Sequence, residues 1–303
     1  MKTLTLEEIH KIRHTSGSHE KIEAVVNKLL SEGIVEGSND YAMAQYALIS
    51  DYYWQVGKTE EGQIYLKKAQ NYLEYATDKI ALISVFILSG NYACVLDDYP
   101  GAASYYFRAL ELSEDIEYEA ELGRIYNNIA SLFNTSHGFE ESYKYYKLAE
   151  RYSRRQVDSR SLPILYNNLS ELCILAERYE EAKTYIDIAA TYVDAYGTPI
   201  RRLNHEIMKW RYALYKNDKE TCFECFNMVQ KYLKDIPYGN DYIVGTLALF
   251  DNLVSMGEAP LAVKWLEEDI QHLEFASDYN NLKKYYAHLK YYYKDTENIY
   301  LVR

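Results

Sequence analysis

The chain has 303 residues, 48% of them apolar and 26% charged, enough to build a core and too apolar for general disorder. It carries 33 basic and 45 acidic residues, a net charge of −12, which argues against general nucleic-acid binding by counterion release and against docking on anionic membranes. The 4 cysteines do not make a disulfide framework, and there is no 18-residue apolar run and no secretory leader in MKTLTLEEIHKIR, so a cytoplasmic protein is expected.

In chain order, the first predicted element is a degenerate helical hairpin over roughly residues 3–38, within an N-terminal segment 1–42. Its halves are LTLEEIHKIRH and HEKIEAVVNKLL, separated by SGS. His10 and His14 stand at i, i+4, with Glu7 and His19 nearby. That spacing suits a metal ion, but solvated histidines on a terminal hairpin are the reading adopted, and no metal site is assigned.

From Met43 onward the sequence repeats every 40 residues without a gap, in units starting at Met43, Ile83, Gly123, Pro163, Leu203 and Ile243. One column holds small residues: Gly62, Ala102, Ser142, Ala182, Cys222 and Ala262. Three residues later come Tyr65, Tyr105, Tyr145 and Tyr185, then Cys225 and Trp265. Four residues further lie Ala69, Ala109, Ala149 and Ala189, decaying to Val229 and Asp269. Offsets of 0, 3 and 7 share one helical face. An earlier helix in each unit has Tyr46, Phe86, Tyr126 and Tyr166 four residues ahead of Ser50, Gly90, Ala130 and Ser170. Between the two helices sit Gly57-Lys58, Asp97-Asp98, His137-Gly138, Asn217-Asp218 and Gly257-Glu258, which suit a helix stop followed by a cap. Glu177-Arg178 departs from that pattern. Pro100 and Pro260 fall near the start of a second helix, Pro163 opens a first helix and Pro199 precedes one. Each unit therefore reads as an antiparallel helix pair that buries its apolar face only by stacking on its neighbours, giving one continuous core over 43–282. A seventh unit would start at Lys283, so residues 283–303 form either a capping helix or a truncated unit of a longer native chain.

These columns resemble the tetratricopeptide repeat (TPR) family. Residues 126–133 (YNNIASLF) with 141–149 (ESYKYYKLA), and 166–173 (YNNLSELC) with 180–190 (EEAKTYIDIAA), match its small–aromatic–small signature best, and the resemblance covers about residues 40–270. One detail differs: the family's helix-B aromatic position falls on Leu66, Tyr106, Tyr146 and Ile186, one residue after the invariant tyrosines. The period of 40 exceeds the family's usual ~34, so longer helices or longer inter-repeat loops are expected. The implied fold is all-α, a right-handed superhelical solenoid of antiparallel helix pairs. Longer units of this kind look like peptide-pheromone receptors of Gram-positive bacteria and the sensor halves of multidomain signalling proteins, diguanylate cyclases among them.

In the resembling family the first helices line a concave groove. Carried over position by position, the groove residues here are Asp51, Trp54 and Asn91, then Arg124, Asn127, Ser131 and Asn134 in the third unit. The fourth unit supplies Ile164, Asn167, Glu171 and Ile174, the fifth Asn204, Ile207, Arg211 and Leu214, and the sixth Asp251. Asn127 and Asn167, one period apart, could donate to and accept from an extended peptide backbone. Arg124 and Arg211 could fork onto a carboxylate. Neighbouring Asn128 and Asn168 read as structural, bonding across the helix pair.

The remaining motifs read as packing or solvated surface. Cys222 and Cys225 form C-x-x-C, but both fall in core columns. Arg151, Arg154, Arg155 and Arg160 cluster at a unit junction, either as a solvated loop or as a contact for an acidic partner. No phosphate-binding, dinucleotide, zinc-protease or nucleophile-elbow motif occurs, nor G-G-[DE]-E-F. The expectation is a non-catalytic scaffold without cofactors, binding a peptide or protein segment in signalling, with a homodimer as a further partner. The alternative is the sensory or dimerisation region of a longer signalling enzyme.

Overall fold

A computed structural model describes residues 4–14, 19–34, 37–135, 138–155, 161–275 and 279–295. Among the described residues all regular structure is helical. The helices are α1 (Leu6–His14), α2 (His19–Glu32), α3 (Asn39–Gln55), α4 (Thr59–Gln70), α5 (Lys79–Val95), α6 (Tyr99–Asp115), α7 (Leu122–Thr135) and α8 (Phe139–Ser153). They continue as α9 (Leu162–Leu175), α10 (Tyr179–Tyr196), α11 (Pro199–Lys216), α12 (Lys219–Asp235), α13 (Asn240–Ser255), α14 (Ala259–Phe275) and α15 (Tyr279–Asp295), with one 3-10 turn at Glu119–Glu121. Helices α3, α5 and α11 start about a turn before the unit boundaries read from the columns. Much of the long period lies in these extended first helices.

The turn inside each pair repeats as faithfully as the side chains. The N–H groups of Lys58, Asp98, Gly138, Arg178, Asp218 and Glu258 donate to the carbonyls of Tyr53, Phe133 and their counterparts Ala93, Cys173, Ala213 and Leu253, at 2.8–3.0 Å. This six-to-one bond is the Schellman closure, and it needs left-handed backbone one residue earlier. Gly57, Asp97, Glu177, Asn217 and Gly257 supply it, with φ of 76°, 59°, 57°, 53° and 88°. Glu177-Arg178, the pair that broke the expected composition, therefore makes the same turn as the rest. His137 lies outside the described residues. Asp98 and Asp218 then cap α6 and α12, accepting from Gly101 N–H at 3.0 Å and Thr221 N–H at 3.1 Å.

The packing divides into two compact units, Met1–Tyr196 and Gly197–Arg303. In the first unit Ala69, Ala109, Ala149 and Ala189 are all fully buried, as are Ala102, Ser142 and Ala182. Leu66, Tyr106, Tyr146 and Ile186 occupy the core. The tyrosines one residue earlier pack against the helix-A rings: Phe86–Tyr105, Tyr126–Tyr145 and Tyr166–Tyr185 stack and Tyr46–Tyr65 is tilted, with centroids 6.1–6.4 Å apart. The N-terminal hairpin shares a cluster with α3–α5 through Ile9, Ile22 and Val26. It is fastened by His10 Nε2, 3.0 Å from Asp78 Oδ1, while Asp40 accepts from Thr77 N–H at 2.6 Å and Asp78 N–H at 2.9 Å. His10 is thus held by a carboxylate; the side chains of His14 and His19 lie outside the described residues.

In the second unit the columns change size. Trp210, fully buried, stands in helix A where earlier units have a small residue, and buried Cys222 and Cys225 take the helix-B places. Trp210 meets Phe226 edge-on at 5.8 Å. In this fifth pair the large ring of these columns has moved from the second helix to the first, while the sixth keeps Trp265 on the second. Asp269, in the alanine column, is buried and accepts from Tyr242 Oη at 2.9 Å and Tyr285 Oη at 3.0 Å, which fixes α15 to its neighbours.

Candidate functional site

The groove positions of the first unit come from successive first helices: Asp51 on α3, Asn91 on α5, Arg124, Asn127 and Asn134 on α7, and Asn167 and Glu171 on α9. A period of 40 brings equivalent positions of α3, α5, α7 and α9 to successive places in the stack, and there the structure places Asn91 and Asn127 in an amide relay and Asp51 with Arg124 in an ion pair.

Asn168 Nδ2 donates to Asn127 Oδ1 at 3.0 Å, Asn127 Nδ2 to Asn128 Oδ1 at 3.3 Å, and Asn128 Nδ2 to Asn91 Oδ1 at 2.9 Å. Tyr106 Oη donates to the same Asn91 oxygen at 2.9 Å. The result is an amide relay across α9, α7 and α5. Asn128 and Asn168 are therefore ties between neighbouring repeats, not within a helix pair as the sequence suggested. The reason is geometric: each lies one residue past a groove position, which turns it toward the preceding first helix. Tyr106, deeply buried, has its hydroxyl pKa pushed up by burial and by Cys94, so it stays a donor.

Arg124 reaches past α5 to α3. Its Nη2 lies 2.8 Å from Asp51 Oδ1, its Nη1 3.5 Å from Asp51 Oδ2, and Nη1 is 3.9 Å from Glu121 Oε2. Burial pulls the guanidinium pKa down, and the Asp51 and Glu121 carboxylates outweigh it, so the net shift is upward. The fork that the sequence offered to a ligand carboxylate is closed on Asp51, which is itself only 3% exposed. Trp54 packs edge-on against Tyr92 at 5.0 Å. Asn167 is buried and its carbonyl accepts from Ser170 Oγ at 2.7 Å, Glu171 and Asn134 are half-buried, and Ile164 is exposed. In the second unit Asn204 is exposed and Arg211 half-buried, while Asp251 Oδ2 lies 3.7 Å from His288 Nε2.

Sequence reasoning did not single out Tyr106 or Glu121. Tyr106 sits in a core column and Glu121 in an inter-repeat loop, so neither carried a groove signal. The doubled asparagines at 127–128 and 167–168 were the available clue, since a pair one residue apart can serve two directions from one helix. The Arg cluster is also engaged: Arg154 Nε donates to Tyr166 Oη at 2.9 Å, and Arg155 lies 3.6 Å from Glu119; Arg160 lies outside the described residues. Among the described residues no group of three or more His, Cys, Asp or Glu could hold a metal ion, and no helix is long and apolar enough to cross a membrane. The network offers amide donors and acceptors in a row, a chemistry of recognition.

No family model and no curated protein matches the chain. Solved structures do. NprR in complex with its cognate peptide NprX has a TM-score of 0.64 at 14% identity, covering 96% of this chain and 83% of that one. Aspartyl phosphate phosphatase F from Bacillus subtilis has 0.60 at 17% identity, covering 88% of this chain and 67% of that one. The signal-transduction ATPase PH0952 from Pyrococcus horikoshii, which has a tetratricopeptide repeat sensor, has 0.52 at 19% identity, covering 92% of this chain and 44% of that one. At such identities the shared property is the fold. The chain has a TPR-like fold, an all-α solenoid of antiparallel helix pairs.

Proposed function

We propose that this chain is a non-catalytic cytoplasmic scaffold that binds an extended peptide or protein segment along the first helices of residues 39–175, in a signalling or regulatory role. The observation that carries the reading is the amide relay Asn168–Asn127–Asn128–Asn91, set across three successive first helices at or beside the groove positions. A carboxamide has two hydrogens and two lone pairs, so each member can hold its neighbour and still address a peptide group. The fold shared with NprR, solved with its cognate peptide, supports the same reading. With Arg124 closed on Asp51, recognition rests on main-chain hydrogen bonds more than on a ligand carboxylate.

The test is a peptide-library screen against the purified protein, followed by titration of the best binder against Asn127→Ala and Asn168→Ala. Each substitution should weaken binding about three- to ten-fold, since one hydrogen bond nets ~0.5–1.5 kcal/mol. Affinities unchanged in both variants would remove the relay from the binding site.

A further inference from the structure

The stacked rings of the first unit come in threes, with one exception. Tyr46 carries Tyr65 and also Tyr72, whose centroid is 6.1 Å away. Tyr126 carries Tyr145 and Tyr152, the latter at 5.6 Å, and Tyr166 carries Tyr185 and Tyr192, the latter at 5.8 Å. In the second pair Phe86 carries Tyr105, but the third position is Leu112. A surface cleft of about 930 Å3 lies there, with Leu73, Leu82, Phe86 and Leu112 among its apolar walls. The guanidinium of Arg108 sits 4.5 Å from the Phe86 centroid, and among the described residues it has no carboxylate partner. Glu74 and Glu111, both exposed, stand at the rim, while Asp115 is paired with Lys79. None of the groove positions lines this cleft.

We propose that the cleft is a docking site for one aromatic side chain, a tyrosine flanked by a basic residue, on a segment of a partner protein. Three of the four equivalent positions in this unit show what fits: a tyrosine ring entering the stack at or near the C-terminal end of the second helix. Leu112 is too short to do so, and the guanidinium of Arg108 lies over the Phe86 ring. A guanidinium stacks on aromatic faces from both sides, so a partner's ring completes the order Phe86, Arg108, ring. The rim carboxylates decide the rest of the chemistry. They accept the phenol hydroxyl, as Glu150 Oε1 accepts Tyr166 Oη at 2.8 Å beside Arg154. They also attract a lysine or arginine next to the tyrosine, favoured further by the net charge of −12.

The probe is N-acetyl-Lys-Tyr-Lys-amide, titrated into the full chain and followed by the methyl NMR signals of Leu73 and Leu82. N-acetyl-Lys-Ala-Lys-amide and N-acetyl-Glu-Tyr-Glu-amide serve as controls. The tyrosine peptide should shift these methyls with an affinity about ten-fold better than either control. Leu112→Tyr, which restores the third ring, should weaken it about ten-fold while leaving the helical circular dichroism intact. Arg108→Gln should weaken it several-fold, and provides the reading if Leu112→Tyr disturbs the fold. Methyl signals that do not move, that move equally with the alanine peptide, or an affinity unchanged in both variants would overturn the proposal.

Discussion

Gly90 shows how narrowly a single position is set. A Cβ built there would lie 2.3 Å from Cε1 and 2.6 Å from Cδ1 of Tyr106. That ring cannot withdraw, because it is 3% exposed and its hydroxyl is bonded to Asn91. Gly90→Ala should therefore destabilise the protein by ~1–3 kcal/mol, the usual cost of overpacking, read as a lower midpoint in urea unfolding. An unchanged midpoint would mean that the ring yields freely. The same repeat position holds Ser50, Ala130 and Ser170, so the column says only that the residue is small. In the second pair the Tyr106 ring lies too close for a Cβ, whereas in the third Ala130 shares a cluster with the equivalent Tyr146, a difference in local packing that the columns do not reveal. Residues 127 and 168 teach the same lesson in reverse: their identity was legible, and their bonding partners were not.

Helices and turns are the scale at which the sequence speaks most clearly. The six turns share one hydrogen-bond pattern although their residues differ, because a Schellman closure demands a backbone conformation and only prefers a side chain. Glycine meets that demand without cost, and asparagine is tolerant of it. Glutamate is neither, and Glu177 sits at φ 57°. Left-handed backbone costs an ordinary L-residue about 1–2 kcal/mol, part of which glycine returns through unfolded-state entropy. Glu177→Gly should accordingly stabilise the protein by ~0.5–1 kcal/mol, visible as a small rise in melting temperature. A fall would show that the Glu177 side chain contributes more than its backbone strains. The composition of the fourth turn looked anomalous because a neighbouring Arg178 N–H to Cys173 carbonyl bond of 2.8 Å can hold a conformation that its residue does not choose.

For the molecule as a whole, the informative feature is the division after Tyr196. The buried clusters built on α1–α5, α5–α7 and α7–α10 all lie before it. A fragment ending at Tyr196 contains these clusters complete, so it should fold alone, with helical circular dichroism per residue close to that of the full chain and a cooperative melt. A fragment that remains unfolded would show that the first unit depends on the second. The small column runs on through Cys222 and Ala262, across this division. The lapse of the tyrosine column at Cys225 and the arrival of Trp210 marked it, but a change of ring from one helix to the other looks in sequence like mere decay.

What the sequence determined by itself is the helical repeat: which residues face the core, where each pair turns, and which positions share a face. These follow from local periodicity, because every pair meets nearly the same neighbours and needs nearly the same side chains. Tertiary structure alone decided the pairings that cross repeats: Arg124 with Asp51, Asn168 with Asn127, and the cleft beside Leu112. Each depends on distances between residues some 40 to 73 positions apart, and such distances are set by how helices stack, not by the residues that happen to meet there.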